Sequence, residues 1–135
     1  MTNSDMDPSV AADIVEARWQ EQLASGHVDR ELVQAAYERP ELRQLYPWSG
    51  MWELHFSRCT EQRWTWDIPY VAPAKVGRWA VCGPSRTEFV GWADTLDEAL
   101  DMVIERLPPS CGPAFAGTPD ELTEYEARQR RGNNG

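Results

Sequence analysis

Basic residues are scarce in this sequence, and nearly all of them are arginine. Thirteen Lys and Arg stand against 22 Asp and Glu, so the 135-residue chain has a formal charge of −9 at pH 7. A protein that binds nucleic acid or an anionic membrane surface needs clustered Lys and Arg to neutralise phosphates. We therefore expect neither nucleic acid nor membrane among its partners.

Long apolar runs are also lacking. No stretch approaches the roughly 20 apolar residues of a transmembrane helix, and the N-terminal MTNSDMDPSV has neither the basic nor the apolar segment of a secretory signal. A hydrophobic content of 41% with seven Trp predicts a packed core rather than disorder. We expect one cytoplasmic domain over residues 1–135, frayed at 1–8 and 126–135.

Cysteine and histidine occur too rarely, and too far apart, to form a recognisable site. Cys59, Cys82 and Cys111 are an odd number and include no C-x-x-C pair, so a disulfide framework is not expected. A zinc site would require His55 to join all three from separate elements. The sequence contains no complete catalytic or metal motif, and we expect no metal and no cofactor.

Helical patterns occupy both ends of the chain. Pro8 at a first helical position and Asp29 as an N-cap predict two helices, which form a hairpin that ends before Pro47. The segment 95–107 begins with a capping box and has a wide apolar face at helical spacing, which predicts a helix lying on a sheet. Thr118 repeats the capping pattern for a weak, short C-terminal helix.

Between these helices the pattern alternates with a period of two, which is typical of strands. Short loops separate the four runs, so we predict a four-stranded antiparallel meander. The predicted fold class is α+β: an N-terminal helical hairpin, the meander, an amphipathic helix packed on the sheet, and a weak C-terminal helix. The four predicted strands span residues 50–57, 63–70, 77–83 and 88–94.

The stretch WELHFSRCTEQRWTWDIPY, residues 52–70, contains most of the candidate reactive residues. With Glu61 at the loop centre, the predicted register sets His55 opposite Asp67 on the polar face. A carboxylate orients an imidazole and raises its pKa for acid–base work, so both are candidate catalytic residues. Ordinary cross-strand pairing and a partner surface remain open for the same face. The apolar partners on the other face would be Trp52 with Tyr70, Leu54 with Ile68, and Phe56 with Trp66.

Two further groups of residues are candidates for a reactive or anion-binding role. Cys59 lies near Arg58 and Arg63, which can lower a thiol pKa and activate a nucleophile, but because the local motif contains no His an ordinary small residue is the preferred interpretation. The turn GPSR presents Ser85 and Arg86, which together with Arg58 are candidates for contact with an anion or an anionic substrate. This turn lacks the glycine spacing and the following helix of a phosphate loop.

Six motifs follow one another along the chain: YPW, LHFSRCT, WTWDIPY, GPSR, GWADTLDEAL and RLPPSCGPA. In this order they resemble a small actinobacterial family with a domain-of-unknown-function label, whose members are described as natural-product biosynthesis proteins. The resemblance covers about Leu32 to Leu122. It implies a cytoplasmic component of a secondary-metabolite gene cluster, and it assigns no catalytic residues.

A similar case is the small partner of the two-protein systems that close an azabicyclic ring in azinomycin-type pathways. There an activated amino-acid intermediate on a carrier cyclises in the presence of a larger protein. The resemblance therefore implies an accessory subunit that binds a larger protein from the same cluster and a carrier-bound or small-molecule intermediate. Trp48, Met51 and Trp92 are its expected interface residues. A small cyclase or hydrolase using His55 and Asp67, or a self-resistance protein that binds the metabolite, are the alternatives.

Overall fold

Helices precede and follow one antiparallel sheet, as predicted. The structure is a computed structural model that describes residues 8–74, 77–85, 87–109 and 111–134. Its architecture is the predicted α+β class. The elements are α1 (Pro8–Ser25), α2 (Arg30–Tyr37), α3 (Pro40–Arg43), β1 (Tyr46–Gly50), β2 (Glu53–Ser57), β3 (Tyr70–Pro73), β4 (Trp79–Cys82), β5 (Phe89–Ala93), α4 (Leu96–Glu105) and α5 (Pro119–Asn134).

The sheet has five strands in the order β1-β2-β3-β4-β5, one more than predicted. The additional strand is β1, which contains Pro47, the residue expected to end a helix. Proline is tolerated because β1 is an edge strand, whose outer side needs no backbone donor. Met51 and Trp52 do not begin the next strand but form a two-residue turn, with φ of 53° and 68°. Positive φ at both positions is what a type I′ hairpin turn requires.

The predicted second strand, residues 63–70, is wrong. Residues 58–69 form a loop, and β3 starts only at Tyr70. Leu54 lies opposite Val71 rather than Ile68, an offset of three residues from the predicted register. An odd offset exchanges the two faces of a strand, because side chains alternate with a period of two. Tyr70 therefore shares a face with His55, whereas it was predicted to share the core face with Leu54.

The core lies between one face of the sheet and the helices. Trp19 of α1 is fully buried, its ring lies 6.4 Å from that of Phe56, and its Nε1 donates to the carbonyl oxygens of Arg43 and Leu45. On β5, a Cβ added at Gly91 would lie 3.4 Å from the sulfur of Met102. Helix α4 thus packs closely over this part of the sheet, where a glycine leaves room for it.

The helix boundaries follow from local capping. Thr95 and Glu98 form the predicted capping box at the start of α4. At the start of α5, the side chains of Thr118 and Glu121 each accept a hydrogen bond from the backbone N–H of the other residue. Helix α5 continues to Asn134 and is longer than the short helix predicted. Among the described residues, no helix has both the length and the apolar character needed to cross a membrane.

Helices α1 and α2 are joined by a short hydrogen bond, which Tyr37 Oη donates to Glu16 Oε2 at 2.5 Å. This bond is the main reason that the pKa of the Glu16 carboxyl lies below its ordinary value, with help from Gln20 and Arg43. The same bond raises the pKa of Tyr37. Its contribution to stability is therefore complete only while Glu16 is ionised and Tyr37 is protonated.

We predict that Tyr37→Phe lowers the free energy of unfolding most between pH 4.5 and 10.0, the ordinary pKa values of the two groups. The difference from the wild type should shrink as the pH falls through the lowered pKa of Glu16. It should also shrink as the pH rises through the raised pKa of Tyr37. Urea unfolding at a series of pH values measures it. Tyr46→Phe is the control, and an equal pH profile for both variants would contradict the assignment.

Candidate functional site

The side of the sheet away from α4, here called the open face, holds a group of stacked rings. His55 lies between Trp48 and Tyr70, with ring centroids 3.9 and 4.4 Å away and interplanar angles of 16° and 21°. Trp64 stacks on Trp48 at 4.6 Å, and Trp66 meets Trp48 and His55 edge-on at 4.9 and 5.4 Å. We call these five residues the His55 stack.

The sheet register builds this stack. Trp48 of β1 lies directly opposite His55 of β2. Extending the Leu54–Val71 pairing by one residue along the antiparallel ladder places His55 opposite Tyr70. Each pair brings two flat rings side by side on neighbouring strands, at the separation where cross-strand side chains interact. The stack is therefore a product of three adjacent strands, and the loop 58–69 adds Trp64 and Trp66 above it.

The carboxylate that meets His55 is that of Glu53. His55 Nε2 lies 2.9 Å from Glu53 Oε1, and the two side chains are only 3% and 12% exposed. Both residues lie on β2 two positions apart, so they point to the same face. The predicted cross-strand pairing of His55 with Asp67 is incorrect, because the observed register places Tyr70 there instead. Alternation along the strand had already placed Glu53 on the face of His55.

Asp67 is held by Arg58 at the far end of β2. Arg58 Nε donates to Asp67 Oδ2 at 2.7 Å, and Arg58 Nη1 donates to Glu126 Oε2 of α5 at 2.7 Å. Burial lowers the pKa of Arg58, but its bonds to the two carboxylates outweigh burial and the pKa is raised overall. Arg58 therefore joins the loop 58–69 to the C-terminal helix, and an anion would have to compete with two resident carboxylates.

Ser57 organises the start of the same loop. Its Oγ donates to the carbonyl oxygen of Cys59 at 2.8 Å and accepts from the backbone N–H groups of Cys59 and Thr65, both at 3.1 Å. The Cys59 side chain is buried against Phe115 and Leu122. Burial raises the pKa of the Cys59 thiol and outweighs the lowering by Ser57, by the Glu61 carbonyl and by Arg58, so a thiol whose pKa is lowered overall is not found here. Arg58 is directed to its carboxylates instead.

In the turn predicted to bind an anion, the polar groups of Ser85 are hydrogen-bonded to neighbouring residues of the chain. The backbone N–H of Ser85 donates to Glu88 Oε1 at 3.1 Å, and Ser85 Oγ lies 3.0 Å from Thr87 Oγ1. Arg86 lies outside the described residues. No contact within the described ranges joins Ser85 to Arg58, and anion binding by these residues stays a prediction.

Large apolar side chains are exposed around the His55 stack and across the open face. Of the three predicted interface residues, Met51 is 79% and Trp92 53% exposed, but Trp48 is only 9% exposed. The expected exposure of Trp48 is wrong because His55 and Trp64 cover it. Sequence patterns missed three other members of this surface, which were assigned to the core or to no role: Trp52 at 64%, Trp66 at 48% and Phe89 at 54% exposure.

Comparison with known proteins assigns a family but no activity. The model of a family described as "Family of unknown function (DUF6193)" matches residues 13–118, which is most of the chain. No curated protein matches, and no solved structure does either. Among the described residues, no group of three or more His, Cys, Asp or Glu is placed to hold a metal ion.

The His55 stack should be a main source of stability for the open face. We predict that Trp48→Ala lowers the free energy of unfolding by about 3–5 kcal/mol, because it opens a cavity between His55 and Trp64. Trp92→Ala is the matched control, since Trp92 is 53% exposed and its removal should cost about 1 kcal/mol or less. Chemical denaturation followed by circular dichroism measures both. Equal losses would contradict a stack that stabilises the fold.

Proposed function

The chain belongs to the DUF6193 family of unknown function, and we propose that it is an accessory subunit of a natural-product biosynthesis complex. It binds a larger protein encoded in the same actinobacterial gene cluster. By its resemblance to the small partners of azabicycle-forming systems, the complex closes a ring on a carrier-bound or small-molecule intermediate. The single observation that carries a binding role is the set of large apolar side chains exposed around and across the open face.

Exposed aromatic surface of this kind is typical of protein interfaces. Monomeric proteins rarely expose large contiguous apolar patches, and Trp is enriched among the residues that contribute most to binding. Trp52, Trp66 and Trp92 are each about half exposed or more. A partner that covers them would remove this apolar area from water, which is the main driving force of association.

The β1–β2 hairpin tip supports the same conclusion. Met51 and Trp52 adopt positive φ, where Asn and Gly are the favoured residues. A side chain other than Gly or Asn in this region costs roughly 1–2 kcal/mol per residue. Neither side chain recovers that cost by packing within the chain, since they are 79% and 64% exposed. Strain of this kind at an exposed position favours a role outside the fold.

The groups that would serve an enzyme are engaged in internal contacts. The ring of His55 lies between Trp48 and Tyr70, Arg58 bonds two carboxylates, and Cys59 is buried. A small cyclase or hydrolase remains the second candidate, favoured by the bond between His55 and Glu53. It would use Glu53, rather than Asp67, to orient the imidazole. Retention of product formation by His55→Gln in the reconstituted complex would eliminate it.

The hairpin tip permits a sharp test of the accessory role. The double variant Met51→Asn, Trp52→Gly carries the residues that a type I′ turn prefers, so the fold should be retained with an equal or higher Tm. Its affinity for the larger cluster protein should fall by roughly tenfold or more, because exposed Trp residues dominate binding energies. Light scattering coupled to size exclusion detects the complex, and calorimetry measures its affinity.

Ile14→Ala is the control for that experiment, because Ile14 is 40% exposed but lies on α1. This variant should bind the larger protein like the wild type. A chain that stays monomeric with every protein of its cluster would overturn the accessory role. If the hairpin-tip variant binds the larger protein with full affinity, the exposed side chains of the open face no longer support the accessory role.

A further inference from the structure

The two edge strands of the sheet, β1 and β5, differ in how far their outer backbone groups are covered. On the outer edge of β1, Pro47 has no N–H to donate, and Arg18 Nε of α1 donates to the Pro47 carbonyl oxygen at 3.0 Å. Helix α1 thus covers this edge and occupies its acceptor. The two outward backbone groups at Pro47 are therefore missing or already bonded, which makes β1 a poor edge for a further strand.

The outer edge of β5 has no such cover. Its sequence, FVGWA, contains neither a charged residue nor a proline, the devices that usually block an edge. In the described part of the chain, no hydrogen bond joins residues 89–93 to any element other than β4. The strand does carry a third such device, a bulge at Val90 opposite Val81 and Cys82, whereas residues 91–93 pair regularly with β4. Backbone groups on the outer side of β5 are therefore available to another strand.

We propose that the outer edge of β5 receives an extended segment of the partner protein, which adds to the sheet as a sixth strand and carries a basic residue at each end. This inference rests on the proposed accessory role and names the element and the ligand chemistry that serve it. The segment supplies backbone hydrogen bonds to β5. Its apolar side chains cover Phe89 and Trp92, whose rings are 5.1 Å apart and about half exposed.

The charges at both ends of β5 specify the basic residues. Glu88 immediately precedes the strand and Asp94 immediately follows it, and both are exposed. Glu105 joins Glu88 in a groove of about 400 Å³ at the Phe89 end, where the side chain of a Lys or Arg would lie beside two carboxylates. Arg106 lines the same groove, and at the other end Arg78 Nε bonds Asp94 Oδ1 at 2.9 Å. The pair of Arg78 with Asp94 is exposed and therefore weak, so a basic residue of the added segment competes for that carboxylate at little cost.

A second copy of the chain is a poor occupant of the same edge. Antiparallel self-pairing centred on Gly91 would place Glu88 of each copy opposite Asp94 of the other. Like charges directly opposite each other destabilise a strand pair, and the formal charge of −9 adds to the repulsion between copies. A segment with basic ends replaces both unfavourable contacts by favourable ones. The edge therefore selects a partner of opposite charge over a copy of itself.

Labelled seven-residue peptides test the proposal directly on the full chain. One peptide has Lys at both ends with alternating Val and Thr between them, and the other has Glu in place of each Lys. Fluorescence anisotropy should give a Kd below about 1 mM for the Lys-ended peptide and roughly tenfold weaker binding for the Glu-ended one. N-methylation of alternate amides on the pairing edge should abolish binding, because it removes the donors that strand addition needs.

A charge-reversed chain is the matched variant. Glu88→Lys with Asp94→Lys alters two exposed positions, and the preference between the two peptides should invert by a similar factor while circular dichroism stays unchanged. Undetectable binding of the Lys-ended peptide at about 5 mM would overturn the proposal. So would equal binding of both peptides, an unaffected N-methylated peptide, or a concentration-dependent dimer that the reversal alters.

The two proposals fail in different ways. If the chain forms a complex with its cluster protein but ignores these peptides, the accessory role stands and strand addition at β5 is refuted. If the peptides bind with the expected charge preference but no cluster protein forms a complex, the edge site stands and the accessory role is refuted.

Discussion

The pairing of Leu54 with Val71 joins the β1–β2 hairpin to the other three strands of the sheet. It fixes which side chains of β3 share a face with those of β2. With this register, Leu54 and Val71 enter the core, while Tyr70 stacks on His55. The predicted register differs by an odd number of residues and would have exchanged these faces. The stacking of Tyr70 on His55 follows from that offset, whereas the pairing of β1 with β2 places Trp48 against His55 and alternation along β2 places Glu53 beside it.

Both faces of the sheet are consequently apolar over much of their area. One face is covered by α1 and α4, through contacts such as Trp19 on Phe56 and Met102 on Gly91. On the other face, Trp64 and Trp66 cover the part near β1 and β2, whereas Phe89 and Trp92 toward β5 are exposed. The side chains predicted to be reactive in this region instead hold the loop 58–69. Arg58 forms an ion pair with Asp67, and Ser57 Oγ accepts a hydrogen bond from the backbone N–H of Cys59. An apolar surface that is incompletely covered and bordered by carboxylates supports the proposed binding role.

Local signals in the sequence predicted the elements that local physics determines. The capping box at Thr95 and the apolar periodicity of α4 require no knowledge of the rest of the chain. Strand β1 was missed because Pro47 usually excludes a strand, and only its edge position makes the proline acceptable. The loop 58–69 was missed because Trp64 and Trp66 continue the alternation of a strand. Contacts distant in sequence help to stabilise that loop, such as the bond from Arg58 to Glu126, which spans 68 positions and leaves no local pattern.

We propose that a partner protein covers the open face and the adjacent edge of β5. Hydrogen–deuterium exchange of the chain, alone and mixed with the larger protein of its gene cluster, tests this claim most directly. We expect slower exchange at residues 51–53 and 89–93 in the mixture, with no change along α1. Protection confined to α1 and α2, or no protection at any position in the mixture, would contradict it.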